Sequence, residues 1–92
     1  DNLVLVELRD RVCISQGVYF CTGNHDYRSP GFDLRAEKIF INSDVWIAAR
    51  SVLAPGASIG TGAIVVLGSV VSGEVPPGVI VRGNPAVIVG KR

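Results

Sequence analysis

The strongest pattern in the chain is an aliphatic residue that recurs every six positions, followed four positions later by a small or short residue. The aliphatic positions are Ile41, Ile47, Leu53, Ile59, Val65 and Val71, and the short ones are Val45, Ser51, Ala57, Ala63, Ser69 and Val75. The same spacing occurs upstream at Leu8, Ile14 and Phe20. A period of six preserves the two-residue alternation of a β-strand and does not match the 3.6-residue period of an α-helix.

Each hexapeptide therefore predicts one short strand and one turn, and the series predicts a solenoid of parallel strands. In Val45-Trp46-Ile47 the outer two residues point inward and the middle one points outward. Segments such as Ala54-Pro55-Gly56 between the strands suit turns and oppose a helix. Several outward positions are apolar, which indicates a partner or a ligand groove. These are Trp46, Val52, Ile64 and Val70.

Two segments interrupt the repeat. Residues 26–40 are surplus to the register and predict a loop ejected from the solenoid wall, although a tolerated surface insertion gives the same pattern. Beyond Pro76 the register is lost, and two apolar runs around a Gly-Asn-Pro turn predict a tail, residues 77–92, that folds back over the last coil. We therefore expect a single domain spanning residues 1–92, with solenoid segments 8–25 and 41–76.

Composition narrows the class of protein. The chain has 92 residues, 48% of them apolar, and a net charge of +1, which argues against disorder and against a nucleic-acid partner. No apolar run reaches the roughly 20 residues of a membrane-spanning helix. The two cysteines lack metal or redox spacing, so free thiols in a reducing cytoplasm are expected. Because residues 1–7 supply no cap and the first residue is Asp1, we expect an N-terminal truncation.

Several motifs carry a family resemblance. The hexapeptide run from 41 to 71 resembles the left-handed β-helix acyltransferase superfamily. Within it, residues 14–19, the segment Thr22-Gly23-Asn24-His25-Asp26-Tyr27, and the segments 44–47 and 83–86 resemble sugar O-acetyltransferases of the colanic-acid type. This resemblance implies an all-β, left-handed parallel β-helix with an ejected loop and a C-terminal tail. It also implies acetyl-CoA as donor, a saccharide or glycan as acceptor, and a homotrimer with active sites between subunits.

The resemblance further implies three hexapeptides per coil, which would stack residues 18 positions apart. The expected inner stacks are Ile41 on Ile59, Ile47 on Val65 and Leu53 on Val71. Three outer columns are also expected. They consist of Cys13, Trp46 and Ile64; of Tyr19, Val52 and Val70; and of His25, Ser58 and Pro76. A three-fold oligomer would bury the first two columns, which are apolar.

The proposed chemistry needs a base, because an alcohol is a weak nucleophile at neutral pH. Imidazole, with a reference pKa of about 6.5, suits this task, and His25 is the single histidine. An exposed loop histidine is the alternative interpretation. No Ser or Cys has a recognisable nucleophile motif, so we expect direct transfer in a ternary complex. The candidate acceptor-binding residues are Asn24, Asp26 and Tyr27. Asp26 is not expected to orient His25, since neighbours on a strand point to opposite sides.

The resemblance also implies where acetyl-CoA would bind. Ala49, Leu67 and Ser72 match groove positions of the family, and Trp46 matches a tryptophan near the cleft or packs in the trimer. Leu67 departs from the usual small residue. Candidate cations for the CoA phosphates are Arg82, Lys91 and Arg92.

Other classes of protein share this fold. A carbonic anhydrase of the γ type needs several histidines on zinc, and one histidine per chain does not supply them, so no metal is expected. A non-catalytic β-solenoid assembly module and an inactive fragment of an acetyltransferase remain as alternatives.

Overall fold

The chain forms a coil of short strands with three flat walls. The computed structural model describes residues 5–25, 31 and 34–92. For residues 24–25 and 34–36, which are included in these ranges, it describes the backbone and not the side chains. This part of the chain contains strands and turns and no helix. The strands are β1 (Val6–Leu8), β2 (Cys13–Ile14), β3 (Tyr19–Phe20), β4 (Gly23–His25), β5 (Leu34–Ala36), β6 (Ile39–Ile41), β7 (Trp46–Ile47), β8 (Val52–Leu53), β9 (Ser58–Ile59), β10 (Ile64–Val65), β11 (Val70–Val71), β12 (Glu74–Val75), β13 (Val79–Gly83) and β14 (Ala86–Lys91).

Each wall is a sheet that the chain visits once per coil. The first wall has the order β1-β6-β9-β12, and the third wall has the order β11-β8-β3. The second wall has the order β14-β13-β10-β7-β2. All neighbours within the walls are parallel except β13 and β14. Because the chain passes from the first wall to the second and then the third, three strands and three corners complete one coil.

The predicted inner stacks are confirmed. Ile41 lies against Ile59, Ile47 against Val65, and Leu53 against Val71. Upstream, Leu8, Ile14 and Phe20 join the same three stacks. From Ile41 to Val65 the inward aliphatic side chains are fully buried, and burial of such side chains is the main favourable term in folding. The short companions Ser51, Ala57, Ala63 and Ser69 are buried too, because two inward side chains meet beside each corner.

The corners share one backbone conformation. The second residue of the turn has a positive φ, and at Arg11, Asp44 and Arg50 this left-handed conformation is adopted by a residue other than glycine. The first two of these residues lie in stacked corners, where Arg11 Nε and Nη2 donate to the Asp44 carboxylate at 2.6 and 3.1 Å. These hydrogen bonds hold the pKa of Asp44 below its ordinary value and tie the first two coils together.

The outer columns agree with two of the three predictions. Cys13, Trp46 and Ile64 form one column on the second wall, and Tyr19, Val52 and Val70 form another on the third wall. The third prediction is wrong, because Ser58 lies between Phe40 and Glu74 rather than between His25 and Pro76.

Two length changes explain this difference. At the end of the first coil the chain leaves the solenoid after Thr22. The next strand of the first wall is therefore Ile39–Ile41 and not a strand that contains His25. In the last coil, only Ser72 and Gly73 connect β11 to β12, whereas four residues connect β8 to β9. Glu74 therefore pairs with Ser58, two positions earlier than the period of 18 predicts.

The C-terminal segment both extends the second wall and folds back. Ile80 and Val81 pair in parallel with Ile64 and Val65, so β13 continues the solenoid, which differs from the expectation that all of 77–92 would leave it. After the turn at Asn84-Pro85, β14 returns antiparallel to β13 and forms the last strand of the second wall. Its outer edge faces along the solenoid axis, away from the coils.

Candidate active site

The segment that carries His25 is a β-hairpin at the corner between the third and first walls. Strands β4 and β5 pair antiparallel, with His25 opposite Leu34 and Gly23 opposite Ala36. The Glu37 N–H donates to the Thr22 carbonyl at 2.8 Å and closes the base of the hairpin. The ejected segment therefore begins at Gly23, three residues earlier than predicted. Of the predicted acceptor-binding residues, Asn24 lies on β4, whereas Asp26 and Tyr27 lie outside the described residues.

A separate groove runs along the outer face of the second wall, beside its corner with the third wall. Its volume is about 410 Å³, and most of its lining is apolar. We call it the axial groove, and its lining residues are Ser15, Gln16, Trp46, Ala48, Ala49, Ile64, Val66 and Leu67. These side chains meet because outward positions of successive coils stack. Predicted cofactor-binding residues Trp46, Ala49 and Leu67 therefore share one site, where Leu67 is 66% exposed.

The indole of Trp46 is fixed across one coil by Ser15. Trp46 is 46% exposed, and its Nε1–H donates to Ser15 Oγ at 3.1 Å. Sequence analysis did not select Ser15, because the two residues are 31 positions apart. The predicted column of Cys13 and Trp46, an offset of 33 positions that the structure confirms, is the signal that could have placed Ser15 beside this indole.

We expect Ser15→Ala to loosen Trp46. Loss of a hydrogen bond of this kind is worth about 0.5–1.5 kcal/mol, and the indole then samples more orientations in the groove. Since Trp46 is the single tryptophan, its fluorescence anisotropy measures this directly and should fall. Ser58→Ala, a matched change on the first wall, should leave the anisotropy unchanged. Equal anisotropy in all three proteins contradicts the anchoring role of Ser15.

Arg82 lies at one end of the axial groove. Ile80 and Val81 pair with Ile64 and Val65, so the next residue, Arg82, lies beside Val66. Arg82 thereby extends the outer column that consists of Ser15, Ala48 and Val66. Its side chain is exposed and has no ion-pair partner within residues 5–25, 31 and 34–92. An apolar groove that ends at a guanidinium suits an elongated ligand with an anionic end.

The other predicted phosphate-binding and groove residues lie at different corners. Ser72 is exposed at the corner between the third and first walls. Lys91 is opposite Val79 on β14, near the corner between the first and second walls. At that same corner Arg92 Nη1 donates to the carbonyls of Asp44 and Gly62, at 2.7 and 3.3 Å. In one chain these three residues do not line the axial groove.

Within the described residues, no group of three or more His, Cys, Asp and Glu side chains is arranged to hold a metal ion. Cys13 and Cys21 are free thiols. A search of the described segments for a helix with the length and apolar character needed to cross a membrane finds none.

Comparisons with known proteins identify relatives of this architecture. The chain is 43% identical over 79 residues to an Escherichia coli (strain K12) protein provisionally named colanic acid biosynthesis acetyltransferase WcaF. The matched segment covers 86% of the chain and 43% of the relative. It is 37% identical over 68 residues to a provisionally named acetyltransferase of Staphylococcus aureus (strain COL), which covers 74% of the chain and 34% of the relative. No protein-family model matches the chain.

Solved structures give the same result. A hexapeptide-repeat acetyltransferase of Vibrio cholerae, complexed with acetyl coenzyme A, superposes with a TM-score of 0.82 at 36% identity. This match covers 89% of the chain and 46% of that protein. A galactoside acetyltransferase in complex with coenzyme A superposes with a TM-score of 0.86 at 27% identity, over 94% of the chain and 44% of that protein.

These likenesses define the class: the chain is a left-handed parallel β-helix and is homologous to the hexapeptide-repeat acetyltransferases. The resemblance and the fold predicted from the sequence are both confirmed. The chain spans less than half the length of each of the four relatives named above.

Proposed function

We propose that the protein is an acetyl-CoA-dependent O-acetyltransferase that acts on a saccharide hydroxyl in the cytoplasm. The observation that carries this proposal is the axial groove, with Trp46 on its wall and Arg82 at its end, in a chain homologous to acetyltransferases. Support for the donor comes from the Vibrio cholerae relative, which is complexed with acetyl coenzyme A. Support for the acceptor comes from relatives named for colanic acid biosynthesis and for a galactoside.

The axial groove suits the elongated arm of acetyl-CoA. Ala48 and Ala49 leave space on one coil, while Val66 and Leu67 narrow the groove on the next. The arm would lie along these residues and against Trp46, and Arg82 would meet a phosphate at the end of the groove. Ser72, Lys91 and Arg92 would reach the same ligand only from a neighbouring chain.

The separation of the two parts of the site supports a homotrimer. The axial groove opens on the second wall, whereas the hairpin leaves the far side of the third wall, at its corner with the first. We propose that the hairpin of one subunit covers the groove of the next, which gives three equivalent sites in a closed ring. This arrangement would also cover the apolar column of Cys13, Trp46 and Ile64.

In the proposed reaction His25 acts as general base. Its imidazole takes the proton of the sugar hydroxyl while the hydroxyl oxygen attacks the acetyl carbonyl carbon. The bond from that carbon to the CoA sulfur breaks, the sulfur leaves with the bonding electrons, and the imidazolium returns the proton to it. Asn24, Asp26 and Tyr27, on the same segment of the chain, would bind the acceptor.

The donor site is tested by titrating acetyl-CoA and following the fluorescence of Trp46. We expect saturable binding in the unmodified protein and an increase in Kd of about tenfold or more in Arg82→Ala, because a charge-assisted hydrogen bond contributes about 1.5–3 kcal/mol. Lys38→Ala is the matched control, since it removes an exposed cation that pairs with Glu7 on the first wall. Absence of binding, or equal effects of the two substitutions, contradicts the proposed site.

A further inference from the structure

Two cations without a partner flank the axial groove. Among the side chains that the structure describes, the cations that make no ion pair, hydrogen bond or ring contact are Arg50, Arg82 and Lys91. The remaining described cations pair with carboxylates or carbonyls, and these are Arg9, Arg11, Lys38 and Arg92. Lys91 lies near a different corner of the solenoid. Arg82 ends the groove, so Arg50 is left without a role in the proposed donor site.

Arg50 occupies the corner that borders the groove. The turns of this corner stack, because the Arg50 N–H donates to the Gln16 carbonyl at 3.0 Å and the Gly68 N–H donates to the Ala49 carbonyl at 2.9 Å. The first residue of each turn lines the groove, so the second residue, which is Gly17, Arg50 or Gly68, lies at its rim. With a φ of 61°, Arg50 adopts the left-handed conformation that its two glycine neighbours share.

The side chain of Arg50 extends toward the first coil. A Cβ added to Gly17 would lie 3.3 Å from Arg50 Cγ, so the stem of Arg50 passes over Gly17 and uses the space that this glycine leaves. On the opposite side, a Cβ added to Gly68 would meet no atom within 4 Å. Arg50 therefore extends toward the first-coil end of the groove, whereas Arg82 lies at the other end, on the fourth of the parallel strands that begin with β2.

The proposed reaction belongs at the first-coil end. Coenzyme A has its phosphates and its thioester at opposite ends, so a phosphate at Arg82 directs the thioester toward Ser15 and Gln16, three strand spacings or about 14 Å away. The hairpin with His25 leaves the chain at the end of this same first coil. In a ring whose axis runs parallel to the solenoids, equivalent coils lie at one height, and the neighbour's hairpin meets this end of the groove.

We infer that Arg50 binds an anionic group of the acceptor, which is therefore an acidic saccharide; this rests on the proposed acetyl transfer and its trimer. A guanidinium that has no carboxylate partner offers a fork of N–H donors to a pair of acceptor oxygens. A carboxylate of a uronic acid and a phosphate of a sugar phosphate both supply such a pair. A neutral saccharide at this end of the groove would leave the charge of Arg50 without a partner.

Calorimetric titration in saturating CoA tests this acceptor class, because CoA then occupies Arg82. Glucose, galactose and mannose are each compared with their own uronate and their own 1-phosphate, which separates a carboxylate from a phosphate. We expect one acidic series to bind at least about tenfold more tightly than the neutral sugars, and Arg50→Ala to abolish this preference, as for loss of a charge-assisted hydrogen bond. Arg50→Lys keeps the charge and should retain part of it. Equal binding of neutral and acidic sugars, or a preference that survives in Arg50→Ala, overturns the inference.

The matched control is Arg9→Ala, which removes a cation of the first coil that pairs with Glu7 and lies over the ring of Phe40 on the first wall. This variant should keep the preference, and an equal loss in both alanine variants contradicts the role of Arg50. CoA release with the same acceptors distinguishes this inference from the proposed function. Equal kcat/KM for neutral and acidic saccharides contradicts the acidic class alone, whereas tighter acidic binding without transfer supports the role of Arg50 and contradicts the proposed activity.

Discussion

Replacement of His25 by alanine is expected to lower the rate of acetyl transfer to a saccharide by about 10²–10⁴-fold, which is the usual contribution of a positioned general base. The hydroxyl would have to attack the thioester without losing its proton to imidazole. The measurement is CoA release across a panel of sugars, with the unmodified protein and the variant compared at equal concentration. Transfer that is unaffected by the substitution contradicts the assignment of His25.

Two controls separate a chemical role from a structural one. The Kd for acetyl-CoA, measured by Trp46 fluorescence, should stay within about twofold, because His25 acts on the acceptor. His25→Gln keeps a polar side chain of similar size in the hairpin and should be as inactive as His25→Ala, since an amide does not serve as base at neutral pH. An unmodified protein that binds acetyl-CoA but transfers to no sugar supports instead the alternative of an inactive fragment.

The largest expected effect on stability is that of Gly60→Ala. Gly60 is buried, and a Cβ added there would lie 2.5 Å from the backbone nitrogen of Pro77 and 2.8 Å from the carbonyl oxygen of Val75. Both atoms belong to the backbone, so no flexible side chain is able to move aside. We expect a loss of about 3 kcal/mol or more in the free energy of unfolding, equivalent to a decrease of more than about 12 °C in Tm.

Gly68→Ala is the matched control for this prediction. Gly68 has a φ of +71° and no atom within 4 Å of an added Cβ, so alanine there meets conformational strain alone. That strain costs about 1–2 kcal/mol. Thermal unfolding of the two variants followed by circular dichroism tests the difference, and a Gly60→Ala protein no less stable than Gly68→Ala would mean that the last coil is more open at Pro77 than the structure shows.

Much of this fold was predictable because its period is local. An inward aliphatic residue every six positions sets both the strand and its inner face. The stacks of Ile41, Ile47 and Leu53 on the next coil required in addition the three hexapeptides per coil that the family resemblance implied. The last coil was not predictable in the same way. Val75 fits the sequence pattern as a short corner residue, but in the structure it occupies the inward aliphatic position that pairs with Ile59. The six-residue pattern does not distinguish these two placements.

The site was predictable only in part, because its contacts join distant positions. The family resemblance selected Trp46, Ala49 and Leu67, which meet in the axial groove. Arg82 was selected as one of the basic residues of the tail, and it lies at the end of the groove. Ser15 was missed although the predicted column of Cys13 and Trp46 already placed it close to the indole, because the sequence does not show which way the indole turns. The separation of Lys91 and Arg92 from the groove was missed as well, because the antiparallel return of β14 carries them to another corner.

The hydrogen bond between Glu37 and Thr22 closes the hairpin at its base and separates it from the solenoid walls. This separation bears on how such proteins acquire different acceptors. The chain leaves and rejoins the solenoid at one closed point, and the inward and outward positions on either side keep their registers across it. A hairpin of different length or sequence fits at this point without any compensating change in the walls. On the proposed assignment, the donor groove belongs to the permanent walls and the acceptor-binding residues to the exchangeable hairpin, so one scaffold is able to acquire new acceptors while its donor stays the same.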